Sequence, residues 1–193
     1  SDVDVLRKIP ILGRLIVRST TRRAHAFTAV SHRSMAKLQR FFSPEEWESI
    51  RRKGAIIPMG VTLPPSHGMQ MSEPRDRTVI LFLGRLVEKK GVEYLLQALA
   101  VAGAELGSSL AIIAGDGPLR GKLERQAHVL GLGTNVKFVG FVSGARKASL
   151  LQSADVFVVP SIITDSGDAE GLPVSLLEGL AHGKVCIATT ESG

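Results

Sequence analysis

The sequence predicts an α/β protein whose second part is a doubly wound parallel sheet. Three observations carry this. Five short apolar runs recur after residue 77, at Val79–Leu83, Leu110–Ala114, Val136–Val139, Val156–Val159 and Val185–Ala188. Each has the length and composition of a strand covered on both faces. Each is separated from the next by a segment of helical periodicity, and strands alternating with helices build a parallel sheet.

The elements follow in order. A helix is predicted over about 5–23, a short strand over 26–30 and a helix over 32–41. Ser43-Pro44-Glu45-Glu46 supplies an N-cap, a proline for the first turn and a capping-box glutamate, so a helix is predicted over 44–53. Ala55-Ile56-Ile57 reads as a strand. Pro58, Pro64, Pro65, Gly68 and Pro74 then break the chain. The expected organisation is a first part at 1–60, a linker at 61–76 and a second part at 77–193. In the second part Val92, Leu95, Leu96 and Leu99 share one face of a helix over 92–102. Further helices are predicted over 119–130, 144–153 and 173–182. The last opens at Gly171-Leu172-Pro173, because proline fits a first turn that has no use for its missing N–H.

Composition narrows the classes. Of the 193 residues, 44% are apolar and 22% charged, as in a soluble globular protein. No apolar run reaches the roughly 18 residues of a membrane span. The acidic opening Ser1-Asp2-Val3-Asp4 leads into no secretory signal, so the cytoplasm is the expected location. The one cysteine, Cys186, excludes an internal disulfide, and its apolar run predicts a buried, inert thiol. Charge is uneven: residues 1–53 carry +7 and the remainder −1. Arg7, Lys8, Arg14, Arg18, Arg22 and Arg23 are threaded through Ile9, Ile11, Leu12, Leu15, Ile16 and Val17. That pattern is either a solvated helix face or a contact for an anionic membrane surface, at the inner face of a membrane. Phe27, Phe41, Phe42 and Trp47 lack the spacing of a base-stacking motif, which argues against nucleic acid. His25, His32, His67, His128 and His182 lack metal-ligand spacing, and no metal site is expected, including at Asp2-Val3-Asp4.

The chemistry collects at one place. With strand order 3-2-1-4-5, the order reverses between the first and fourth strands, and ligands of such sheets bind beyond the strands' carboxyl ends at that point. The loops there are 84–91 and 160–171. The first holds Arg85 and Lys90, a planar fork and a point charge, between Gly84 and Gly91. The second holds Glu170 and leads into the helix that carries Glu178. Two cations facing a helix N-terminus suit a diphosphate. Carboxylates beside such an anion site need other work, and accepting from sugar or ribose hydroxyls is such work. Gly115-Asp116-Gly117-Pro118 is either a tight turn capped by Asp116 or a further ligand contact. Asp165-Ser166-Gly167-Asp168 reads as a flexible polar lid.

Five ordered segments across 77–193 carry a resemblance. They are Phe82-Leu83-Gly84-Arg85-Leu86 with Lys90-Gly91; Ala114-Gly115-Asp116-Gly117-Pro118; Val139-Gly140-Phe141-Val142; Val159-Pro160-Ser161; and Glu170-Gly171-Leu172-Pro173 with Glu178. Together they resemble the retaining glycosyltransferases of family 4, whose glycosyltransferase B fold sets two Rossmann-like domains across a cleft. Thr28-Ala29-Val30-Ser31 and Ile57-Pro58-Met59-Gly60-Val61 resemble the closing segments of that family's N-terminal domain. The resemblance therefore implies a C-terminal nucleotide-sugar-binding domain at 77–193, incomplete at its end, and a truncated remnant of the acceptor-side domain at 1–60. Such a chain is expected to be inactive by itself.

The resemblance also implies roles. Arg85, Lys90 and Glu170 are the catalytic residues, the first two on the donor diphosphate and Glu170 against the donor sugar. Glu178 holds the ribose hydroxyls. Backbone at Gly84, Gly171, Leu172 and Val174 meets sugar and phosphate, and backbone at Phe141 and Val142 borders the base. Front-face displacement with retention leaves Glu170 without a nucleophile's part. The implied reaction moves a hexose from a nucleoside diphosphate sugar to a glycan or lipid-linked acceptor, in bacterial polysaccharide or cell-surface glycan synthesis. The donor is a substrate, and no cofactor is implied. Two alternatives stand beside it: a non-catalytic nucleotide-sugar-binding module, and a nucleotide-sugar epimerase of related fold. A dinucleotide dehydrogenase is disfavoured, since no Gly-x-Gly-x-x-Gly follows the first strand.

Overall fold

The structure, a computed structural model, describes residues 10–64 and 77–192. The Asp2–Asp4 stretch, the start of the expected first helix and most of the expected linker lie outside them. The described residues group into two compact units. One comprises residues up to Met59 with Glu170–Leu172, and the other Gly60–Ala169 with Pro173–Ser192.

The first unit holds α1 (Pro10–Arg23), β1 (Phe27–Ala29), α2 (His32–Gln39), α3 (Pro44–Arg51) and β2 (Gly54–Ile56). β1 and β2 pair in parallel, with Thr28 opposite Ala55. α2 ends earlier than expected because Phe41 and Phe42 turn their N–H groups back to Leu38 and Gln39. That turn sends Phe42 inward against Trp47 and Ile50, with the Phe42 and Trp47 rings 6.1 Å apart. The capping box forms as expected. Ser43 Oγ accepts from the Glu46 N–H, and Glu46 Oε2 accepts from the Ser43 N–H.

The second unit is a five-stranded parallel sheet. Its members are β3 (Val79–Leu83), α4 (Val92–Ala102), β4 (Leu110–Ala114), α5 (Arg120–Val129), β5 (Val136–Gly140), α6 (Gly144–Ser153), β6 (Val156–Val159), α7 (Val174–Ala181) and β7 (Val185–Ala188). The order is β5-β4-β3-β6-β7, which is the expected reversal beside the first strand. Alternate residues of β3 serve two cores. Ile80 and Phe82 pack with Leu95, Leu96 and Leu123 of α4 and α5. Leu81 packs with Phe157, Leu151 and Leu176, under α6 and α7. The sheet is therefore covered on both faces, which is why its strands read as unbroken apolar runs.

Backbone bonds lace the loops at the carboxyl ends of the strands. The Gly84 N–H donates to the Ala114 carbonyl (3.0 Å), Gly115 N–H to Gly140 (2.8 Å), and Ile162 N–H to Lys89 (2.9 Å). Two glycines make these approaches feasible. A methyl group at Gly115, where φ is 149°, would fall 1.8 Å from the Gly84 carbonyl oxygen. One at Gly91, where φ is 64°, would fall 1.8 Å from the Pro160 carbonyl oxygen.

Helix α7 begins one residue later than expected. Pro173 has φ −73° and ψ 111°, so its ring is accommodated but its ψ is extended, and it stands at the N-cap. The helix lies close on the sheet because Gly179 has no side chain. A methyl there would sit 2.8 Å from the Phe157 ring and 3.1 Å from Cys186 Sγ.

These contacts rank two substitutions. Gly179→Ala overpacks the fully buried Phe157 ring, a side chain rather than backbone, and is expected to cost about 1–3 kcal/mol. Gly91→Ala adds a left-handed φ, worth about 1–2 kcal/mol, to a collision with backbone that cannot swing aside. Urea unfolding is expected to place the Gly91→Ala midpoint below that of Gly179→Ala.

Candidate functional site

The candidate site is the carboxyl-end edge of the sheet in the second unit. Strand β3 delivers Gly84 and Arg85 directly to it, and the chain returns through the 3-10 turn Glu88–Lys90 to Gly91. Arg85 is exposed, and Lys90 is half-buried with its stem laid over Gly84: a methyl at Gly84 would lie 3.6 Å from Lys90 Cε. Both expected cations thus leave the same strand end. Strand β5 delivers Phe141 and Val142. Phe141 is 73% exposed, while Val142 is buried in the core, so its side chain serves packing and its backbone lies at the edge. Val174 opens α7, and Glu178 stands one turn further along. Glu170, Gly171 and Leu172 fall in the first unit.

The helices give this edge a common electrostatic character. Among the described residues of the second unit, α4, α5, α6 and α7 each start where a strand has ended. None has a side-chain N-cap hydrogen bond. In the first unit α2 and α3 are both capped, by Ser31 and Ser43. Uncapped first-turn N–H groups and the positive ends of helix dipoles favour anions.

The loop after β6 is tied to the loop after β3. Besides the Ile162–Lys89 bond, Lys89 Nζ lies 3.2 Å from Asp168 Oδ1. Asp165–Asp168, expected as a flexible lid, is a closed turn centred on Thr164. The Thr164 N–H donates to the Asp168 carbonyl (2.9 Å), and the Asp168 N–H donates back to Thr164 Oγ1 (3.0 Å). Ser161, just beyond β6, is fully buried, and its hydroxyl meets no hydrogen-bond partner among the described residues.

Some side chains have other work than expected, or work the sequence did not disclose. Asp116 acts as the turn's own cap, with Oδ1 accepting from the Gly117 N–H at 2.7 Å. Cys186 is half-buried rather than buried, and its desolvation raises the thiol pKa, which disfavours the reactive thiolate. Glu178 Oε1 is held by Lys147 Nζ of α6 at 2.6 Å. Lys147 was not among the expected site residues, because a pairing across 31 positions leaves no local pattern. Its one signal is a cation in the first turn of a helix, against the dipole. In the first unit, Arg18 and Arg22 of the basic helix both pair with Glu46, while Leu12, Leu15 and Ile16 stay exposed. Among the described residues no helix is long and apolar enough to cross a membrane, and no three His, Cys, Asp or Glu side chains gather as a metal cluster.

Comparison with known proteins agrees with this architecture. Residues 69–193 match the model of the family described as glycosyl transferases group 1. The putative colanic acid biosynthesis glycosyltransferase WcaL of Escherichia coli K12 is 29% identical over 172 residues, 89% of this chain and 41% of that protein. The amylovoran biosynthesis glycosyltransferase AmsK of Erwinia amylovora is 34% identical over 114 residues, 59% of this chain and 28% of that protein. The crystal structure of Anabaena HepE in complex with UDP-glucose superposes with a TM-score of 0.73 at 23% identity, covering 93% of this chain and 49% of that one. At that identity the likeness concerns the fold, which is the glycosyltransferase B fold. The chain spans less than half the length of each of these relatives. The family match covers more than half of the 193 residues, and the chain belongs to the glycosyl transferases group 1 family.

Proposed function

We propose that the second unit binds a nucleoside diphosphate sugar at its carboxyl-end edge, and that the protein containing it transfers the sugar, a hexose, to a glycan or lipid-linked acceptor with retention of configuration, as in family 4. The observation that carries this reading is the convergence of four uncapped helix N-termini with Arg85 and Lys90 at one edge of one sheet. That combination suits a diphosphate better than a neutral ligand. HepE, of the same fold, was crystallised with UDP-glucose, and WcaL and AmsK are named for polysaccharide biosynthesis.

In this reading, breaking the anomeric C–O bond places negative charge on the leaving diphosphate. Arg85 and Lys90 meet that charge where it appears, so they stabilise the transition state more than the bound donor. Val174 N–H at the start of α7 adds a fixed donor, and the resemblance to family 4 gives the backbone of Gly171 and Leu172 the same part. Glu178 accepts from the ribose hydroxyls, Glu170 lies against the donor sugar, and backbone at Gly84, Phe141 and Val142 lines the phosphate and base. The donor is a substrate, and the reaction as read calls for no further cofactor. The exposed Leu12, Leu15 and Ile16 beside Arg14 and Arg23 support peripheral contact with an anionic membrane at its cytoplasmic face.

The test is to incubate the full-length protein containing this unit with UDP- and GDP-sugars, with and without acceptor. Acceptor-dependent release of nucleoside diphosphate is expected. A new sugar nucleotide formed without acceptor would indicate an epimerase, and binding without either product a binding module. Arg85→Ala and Lys90→Ala are each expected to lower turnover about 10²–10³-fold, with a smaller effect on donor affinity. Equal losses in turnover and in a donor titration would contradict the roles given to them. Glu178→Ala is expected to weaken nucleoside diphosphate binding by about 1.5–3 kcal/mol, the worth of a charged hydrogen bond. Unchanged affinity in calorimetry would remove Glu178 from the site.

A further inference from the structure

Lys147 and Glu178 stand on different helices that start at the same edge of the sheet. Lys147 lies in the first turn of α6, and Glu178 in the second turn of α7. Leu150 and Leu151 of α6 pack into the same apolar cluster as Leu176 of α7, so the spacing of the two helices is set by the core beneath them. That spacing brings Lys147 Nζ to 2.6 Å from Glu178 Oε1, with the side chains 32% and 17% exposed. The pair is shielded enough to be geometrically defined, yet open to a ligand. Lys147 takes up one of the two Glu178 carboxylate oxygens, Oε1. The lysine's position is otherwise unfavourable. It is a cation at the positive end of a helix whose first turn has no acidic residue. The Glu178 carboxylate offsets that cost.

We propose that Lys147 is a positioning residue for the nucleoside end of the donor: it holds Glu178 by Oε1 and leaves Oε2 directed to the ribose hydroxyls. The inference rests on the reading of Glu178 as the ribose acceptor. Its physical content is preorganisation. A glutamate side chain free to rotate loses that freedom when it binds ribose, and one already held by a neighbour loses less. Lys147 therefore contributes to recognition of ribose hydroxyls and to nothing at the diphosphate.

The experiment is calorimetric titration of the 193-residue chain and its variants with UDP and GDP, with their 2′,3′-dideoxy forms, and with inorganic pyrophosphate. Lys147→Met is expected to lower affinity for the ribonucleotides roughly tenfold, the scale of one charged hydrogen bond weakened. Affinity for the dideoxy forms and pyrophosphate is expected to stay within about twofold of the original. Lys147→Arg, which restores a cation, is expected to recover most of the loss. A purely structural role for Lys147 would not move the ratio of ribose to dideoxyribose affinity. Thermal unfolding of Lys147→Met and Lys147→Gln checks that α6 survives. If Glu178→Ala weakens ribonucleotide binding and Lys147→Met does not, the inference is wrong and the reading of Glu178 stands. If Lys147→Met weakens all three ligand classes alike, the inference is also wrong, because the lysine then acts on phosphate or on the fold. If Glu178→Ala itself leaves ribonucleotide affinity unchanged, the reading of Glu178 falls and the inference with it.

Discussion

The close approach of backbones at the sheet's carboxyl-end edge is the constraint on which the rest of the second unit depends. Parallel strands are about 4.8 Å apart, so the loops leaving neighbouring strands compete for one narrow strip. Here the competition is resolved by contact. Gly115 lies against the Gly84 carbonyl and Gly91 against the Pro160 carbonyl, with no room for a Cβ at either. The second contact bridges β3 and β6, where the strand order reverses. It holds the loop carrying Arg85 and Lys90 against the loop that leads into α7. The Ile162–Lys89 hydrogen bond and the Lys89–Asp168 ion pair tie the same two loops again.

On that frame the fold imposes a polarity. In a doubly wound sheet every crossover helix starts where a strand has ended, so the helix N-termini collect at one edge. This chain leaves those N-termini without side-chain caps in the second unit, yet caps the helices α2 and α3 of the first. Capping residues compete with an anion for the same N–H groups. The carboxylates nearby are not left against this positive edge alone. Asp168 is matched by Lys89 and Glu178 by Lys147, which keeps the negative groups local and leaves Arg85 exposed.

Much of the fold was legible in the sequence. The five strands matched their apolar runs to within a residue, because burial on both faces writes burial into every position. The capping box at Ser43 was legible because it is a local device confined to four residues. The small errors had local causes too. Proline's φ permits either the N-cap or the first turn, and only its ψ, set by the loop before it, placed Pro173 outside α7. Cys186 lies in an apolar run but on β7, at the end of the strand order, where cover is partial.

The sequence by itself determined which segments become strands and helices, and which cations and carboxylates sit in loops or first turns. Those properties depend on neighbours a few positions away, through periodicity, capping and the conformational limits of glycine and proline. Only the tertiary structure decided the partners: Lys147 with Glu178, Lys89 with Asp168, and two arginines of α1 with Glu46. A charge pair across 24 to 79 positions leaves no periodic trace, since it arises when apolar cores elsewhere fix the distance between the elements that carry it.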